Sequence, residues 1–153
     1  MSFEPGPIIA WGSPMPVKSF GIRVSTKGDG DIIDLTPKVN DAARQSGIND
    51  GIVMTFVPGS TAAITTIEYE PGLLKDIPEL LEQMIPAGRS YHHDQTWGDG
   101  NGYAHLRAAL VGASFTCPLA AGKLILGTWQ QIVLLEFDNR PRNREIVVQI
   151  SGE

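Results

Sequence analysis

The sequence predicts an α+β domain with mainly antiparallel strands. The coarse order of elements is ββ, α, ββ, α, α and then several strands, which is interleaving rather than the strict β-α alternation of a doubly wound sheet. From Phe115 onward the chain reads as consecutive short strands divided by turns. With 153 residues, 42% hydrophobic and 19% charged, it is long and apolar enough for one globular domain with a core.

Residues 1–16 hold Pro5, Pro7, Pro14 and Pro16 with Gly6 and Gly12, an irregular extended leader. Ile8, Ile9 and Trp11 make it apolar enough to dock, either on its own domain or on a neighbouring subunit. The domain proper is expected over 17–153. Val17, Phe20, Ile22 and Val24 predict a strand, and Lys27-Gly28-Asp29-Gly30 a turn. After Ile32, Ile33 and Leu35, Thr36 is expected to N-cap a helix with Pro37 at its first position. Val39, Ala42 and Ala43 give that helix its apolar stripe, and Gly47 ends it.

Gly51–Val57 reads as a buried strand and Ala62–Tyr69 as a second, rich in β-branched residues. Between them, Pro58-Gly59-Ser60-Thr61 is either a plain connection or an anion-binding turn of backbone N–H groups and hydroxyls. No Walker lysine follows it. Pro71-Gly72 opens an amphipathic helix (Leu73, Leu74, Ile77, Leu80, Leu81, Met84) in which Pro78 predicts a break or a new helical start. Asp76, Glu79 and Glu82 are expected on its solvated face. Asp99 or Asn101 is expected to cap a further helix from about Gly102 toward Gly112, with Arg107 on a different face from His105. Strands follow at Phe115–Pro118, Leu124–Leu126, Gln131–Phe137 and Glu145–Ile150.

The net charge of −5 argues against general nucleic-acid binding, which needs a basic face, but leaves room for a small anionic ligand held by local arginines. No stretch reaches the length of a membrane span, and the acidic, proline-rich start does not read as a signal peptide. A cytoplasmic protein is expected. The single cysteine, Cys117, sits in an apolar run and reads as a buried thiol.

All three histidines lie between His92 and His105, among turn residues that include Asp94, Asp99 and Asn101. Two imidazoles and a carboxylate suit a divalent metal such as Zn or Mg, with His93 and His105 as ligands. The spacing is no known metal motif, and a polar loop whose histidines bond backbone groups reads equally well. In an extended segment His92 and His93 point oppositely, so at most one joins His105. His105 falls in a first helical turn, which favours a neutral imidazole and attracts anions. Glu136 alternates with apolar neighbours. On an interior face it needs a cation and could act as general base or metal ligand; on an edge strand it lies in water. Arg140, Arg142 and Arg144 follow a turn, either as a phosphate grip or as a solvated basic turn.

The runs Gly59-Ser60-Thr61-Ala62-Ala63-Ile64, His93-Asp94, Asp99-Gly100-Asn101-Gly102 with His105-Leu106-Arg107, Gly127-Thr128-Trp129-Gln130 with Glu136, and the closing Val147–Glu153 resemble the YjbQ family. The resemblance spans about Val17 to Glu153. It implies two packed sheets in a sandwich-like α+β unit with about three helices, assembled as a homotrimer. It also implies a weak thiamine-phosphate synthase activity, coupling a pyrimidine diphosphate to a thiazole phosphate. His93, Asp99, Asn101 and His105 match the family's polar cluster, and Gln130 and Glu136 its C-terminal motif. This assigns His105, Glu136 and Asp99 to catalysis, and Ser60, Thr61, Asn101, Gln130 and Arg140 to a small phosphorylated ligand. Many members carry His at the position of Gly59 and Asn at that of Ile67.

Overall fold

The computed structural model describes residues 15–153. The leader's apolar segment and Trp11 lie outside them. Among the described residues, eight strands form two sheets with every pairing antiparallel. The larger sheet runs β1(Val17–Ser25), β8(Asn143–Gly152), β3(Gly51–Phe56), β5(Ser114–Ala120), β6(Lys123–Leu124). The smaller runs β2(Ile32–Asp34), β7(Gln131–Glu136), β4(Ala62–Ile67). Four helices accompany them: α1(Thr36–Ser46), α2(Leu73–Met84), α3(His92–Trp97) and α4(Gly102–Val111).

Alternation explains the layering. Along β7, Ile132 and Leu134 join Ile22, Val53, Ile146, Val148 and Ile150 in a core between the sheets, which α1 closes with Val39, Ala42 and Ala43. Val133, Leu135 and Phe137 point the other way, onto Leu81 of α2 and Tyr103, Ala104 and Ala108 of α4. The smaller sheet is therefore buried on both faces, which is why β7 reads as an unbroken apolar run. The sandwich carries an additional helical layer, and four helices stand where about three were expected.

Local expectations divide by hydrogen bonding. Gly47 adopts φ +72° at the end of α1, as a C-terminal glycine should. Thr36 does not cap that helix: its hydroxyl accepts from the Ile132 N–H (2.8 Å), and Asp34 accepts from the Thr36 N–H (2.8 Å). Nor does Pro78 break α2, which runs through it with one fewer possible donor. Cys117 is buried, and desolvation raises its thiol pKa.

Candidate functional site

The site is built where β7 leaves the small sheet and the chain returns as β8 in the large one. Glu136 and Asp138, two residues apart, share an orientation at the end of β7 and are fully buried. The central place of β7 overturns the reading of Glu136 as an exposed edge residue. Arg144 Nε donates to Glu136 Oε2 (2.7 Å) and Nη2 to Oε1 (2.5 Å), a two-point grip. The Thr26 hydroxyl and the Asp138 N–H donate to the same carboxylate (both 3.0 Å). Arg142 pairs with Asp138, whose pKa is lowered: burial opposes the shift, but the bond and charge of Arg142, with the Asn139 N–H, outweigh it. The arginines of the returning strand thus neutralise buried acids rather than forming a solvated basic turn.

Thr61 belongs to this lock. Its hydroxyl accepts from Arg144 Nη2 (2.8 Å) and donates to Asp138 Oδ2 (3.3 Å). Its neighbour Ser60 is exposed. Gly59 and Ser60 line an open depression of about 450 Å³ with Ala62, His105, Ala108 and Ala109.

The histidines lie beside it. His92 and His93 are not extended; they open the six-residue α3, held by Asp94. The Asp94 carboxylate accepts from the Tyr91 N–H (3.0 Å) and from the Gly102 N–H (2.9 Å), so it ties α3 to the start of α4. Asn101 occupies the N-cap position of α4, but its side chain makes no cap bond. It is buried between Asp138 and Asp99. Turned one way, the amide donates to Asp138 Oδ1 (3.4 Å). Turned the other way, it donates to Asp99 Oδ1 (3.1 Å) and His93 Nε2 (3.3 Å), the shorter and more numerous set. In that orientation Nε2 of His93 is the acceptor, which leaves Nδ1 as the donor side of the ring.

His93 Nε2 lies 3.5 Å from Asp99 Oδ1, and the His93 and His105 ring centroids are 4.2 Å apart. His92 is exposed, so one of the adjacent pair joins His105, as expected. Burial first, then the neighbouring His93, holds the His105 imidazole below its ordinary value. Among the described residues no group of three or more His, Cys, Asp and Glu side chains is arranged to hold a metal ion. The contacts of His93 with Asp99 and with His105 are pairwise.

Two ligand-binding candidates stand apart. Gln130 is exposed, accepts from the Gly127 N–H (2.7 Å) and bonds Thr66 (3.4 Å). It precedes β7 while Glu136 ends it, a separation of about 20 Å along the strand. Arg140 is exposed in the turn after Asp138 and makes no side-chain bond among the described residues.

A model of the UPF0047 protein YjbQ-like family matches residues 21–153. The chain is similar to a UPF0047 protein of Archaeoglobus fulgidus, 44% identical over 119 residues, covering 78% of this chain and 90% of that one. A UPF0047 protein of Methanothermobacter thermautotrophicus is 43% identical over 123 residues, covering 80% and 84%. A crystal structure of a YbjQ-like protein of unknown function from Sulfolobus solfataricus superposes with TM-score 0.86 at 40% identity, covering 92% of this chain and 100% of that one. The chain belongs to the YjbQ-like family.

In this YjbQ-like chain, sequence reasoning passed over Asp138, Thr26 and the tie made by Asp94. Asp138 opens Asp138-Asn139-Arg140-Pro141, a run with the composition of an ordinary turn. The available signal was the pairing of acids at 136 and 138 with arginines at 142 and 144, equal spacings on two limbs of one return. Asp94 gives a direct test. Its pKa is lowered, chiefly by the Gly102 N–H and then the Tyr91 N–H. A lowered folded-state pKa means its contribution is complete above the ordinary 3.8 and is lost as pH falls from there through the folded value. Asp94→Ala should speed hydrogen exchange at the Tyr91 and Gly102 amides at neutral pH, and acidification below 3.8 should do the same to the unaltered protein. Equal protection in the variant would show that the tie does not hold the two helices.

No helix among the described residues is long and apolar enough to cross a membrane.

Proposed function

We propose that this YjbQ-like protein acts on a small phosphorylated ligand in the depression beside His105, with His105 as the proton-handling group. The position of His105 carries this reading. It lines the 450 Å³ depression with Ser60, and a second of about 320 Å³ with Tyr91, His93 and Leu106. Held neutral by burial, it is ready to accept a proton near neutral pH. His93, whose Nε2 accepts from Asn101, packs its ring against that of His105 and fixes its position. The exposed Ser60 hydroxyl is a phosphate contact. Glu136 acts through Arg144 and Thr61 as a positioning residue.

The reaction to test is weak thiamine-phosphate synthase-type coupling. The thiazole nitrogen, which carries no proton, forms a bond to the pyrimidine methylene carbon, the carbon–oxygen bond to the diphosphate breaks, pyrophosphate leaves with the electron pair, and the proton its departing oxygen takes up is one that His105 has accepted from solvent. His105→Ala should reduce turnover by about 100-fold or more, with assembly unchanged by native mass spectrometry. Full turnover in the variant ends this reading.

A second reading, a non-catalytic homotrimer binding a metal or a phosphorylated ligand, is favoured by the apolar surface of α4 beside the site, where Leu106 and Leu110 are 48% and 58% exposed. Native mass spectrometry with elemental analysis discriminates the two: a trimer carrying about one metal per chain and no turnover supports the second.

A further inference from the structure

We infer that the outer edge of the Arg144 guanidinium is the phosphate-binding group of this site, and that Gly59 is the residue that keeps it open. This rests on the reading that a phosphorylated ligand sits beside His105. Of the three arginines after the turn, Arg142 is engaged by Asp138 and Arg140 projects from the surface. Arg144 is different. Its side chain is only 10% exposed, and Nε and Nη2 are used by Glu136 and Thr61. Nη1 has no acceptor among the described residues. The one buried side-chain polar atom without a partner there is Thr55 Oγ1, so Nη1 reaches the surface.

It reaches the surface at Gly59. A Cβ at that position would lie 3.1 Å from Arg144 Nη1, so any side chain there crowds the guanidinium edge. Gly59 and Ser60 are also the lip of the depression that His105 lines. Arg144 itself lines a neighbouring depression with Ser25 and Asn143, and its Nη1 edge meets the His105 depression at the Gly59 lip, beside the Ser60 hydroxyl. Glu136 cancels most of the arginine's charge, so selection falls to directed N–H donors rather than to a broad positive field. That favours an oxyanion with aligned lone pairs, and the open depression leaves room for a substituent on it. The class is a phosphate monoester.

The test uses the full chain titrated with inorganic phosphate, phenyl phosphate and phenol by calorimetry at constant ionic strength. Both phosphates should bind saturably and phenol should not. Gly59→Ala should weaken both by about tenfold, and Ser60→Ala by less. Undiminished binding by a folded Gly59→Ala, loss of binding in Arg140→Ala instead, or no saturable binding of either phosphate would overturn the inference. Binding of phosphate without phenyl phosphate would overturn the monoester class. Gly59 has φ +154°, so Ala there also strains the backbone. Should the variant not fold, NMR of arginine side chains in the unaltered protein decides: phosphate must shift the Arg144 guanidinium signal, and an unmoved signal removes the subsite. Turnover that depends on His105 with phosphate affinity indifferent to Gly59 removes the subsite and keeps the functional reading. Gly59-dependent phosphate binding without turnover does the reverse.

Discussion

Arg144→Met should destabilise the fold by about 3–5 kcal/mol, the usual cost of leaving a buried charge without its partner. Glu136 is fully buried, and Arg144 supplies both of its charged donors. The Thr26 hydroxyl and Asp138 N–H that remain are too few to hold an ionised carboxylate in that setting. The same substitution frees the Thr61 hydroxyl from Arg144 Nη2. Urea unfolding followed by circular dichroism reads the loss. The double variant Arg144→Met with Glu136→Leu should recover most of it, because an apolar pair of similar volume removes the stranded charge. If Arg144→Met alone lies within about 1 kcal/mol of the unaltered protein, the pair is not a structural lock.

The strands were legible because burial imposes alternation, and alternation survives in the sequence. β7 is the clearest case: Ile132 and Leu134 face one core, Val133 and Leu135 the other, and the run has no polar gap until Glu136. Helix ends were less legible, because local rules compete with distant partners. Thr36 carries the right residue type for a cap, yet its hydroxyl serves the Ile132 N–H, 96 positions away. Asn101 stands at the cap position, but its amide is drawn between Asp99, His93 and Asp138. In both cases the side chain that looks local makes a long-range bond. The short α3 was read as extended because six residues of mixed polarity carry no helical stripe.

The candidate site was legible in composition and not in wiring. The gathering of the histidines pointed to the right region, and the structure places His93 against His105 and beside Asp99. The basic segment 140–144 hid its division of labour, since the partners of Arg142 and Arg144 are set by a strand crossing from one sheet to the other. Neither could the sequence show that Thr61 faces inward while Ser60 faces out. That difference is one step of the backbone at the entry to β4.

Arg107→Met should cost about 2–3 kcal/mol, the loss expected when hydrogen bonds from a buried charged donor are removed. Its guanidinium is 3% exposed and joins three segments. It donates to Asp29 in the turn before β2 (2.9 Å), to Glu82 of α2 (2.6 Å) and twice to the Ile85 carbonyl (3.1 and 2.8 Å), while lying over the Tyr103 ring. Glu82 therefore does more than solvate the face of α2. Methionine keeps the apolar stem but leaves the Ile85 carbonyl and two neighbouring carboxylates unserved. Glu82 can still hydrate, whereas Asp29 already has a raised pKa, from burial first, despite the arginine. Removing Arg107 should raise it further. A carboxylate with a raised folded-state pKa binds its proton more tightly when folded, so protonation favours the fold as pH falls from that value toward 3.8. The penalty of Arg107→Met should accordingly shrink across that interval relative to neutral pH. Denaturation midpoints for both proteins at neutral pH and just above 3.8 measure this. A penalty that stays constant, or grows on acidification, would show that the loss comes from packing against Tyr103 rather than from the stranded acids.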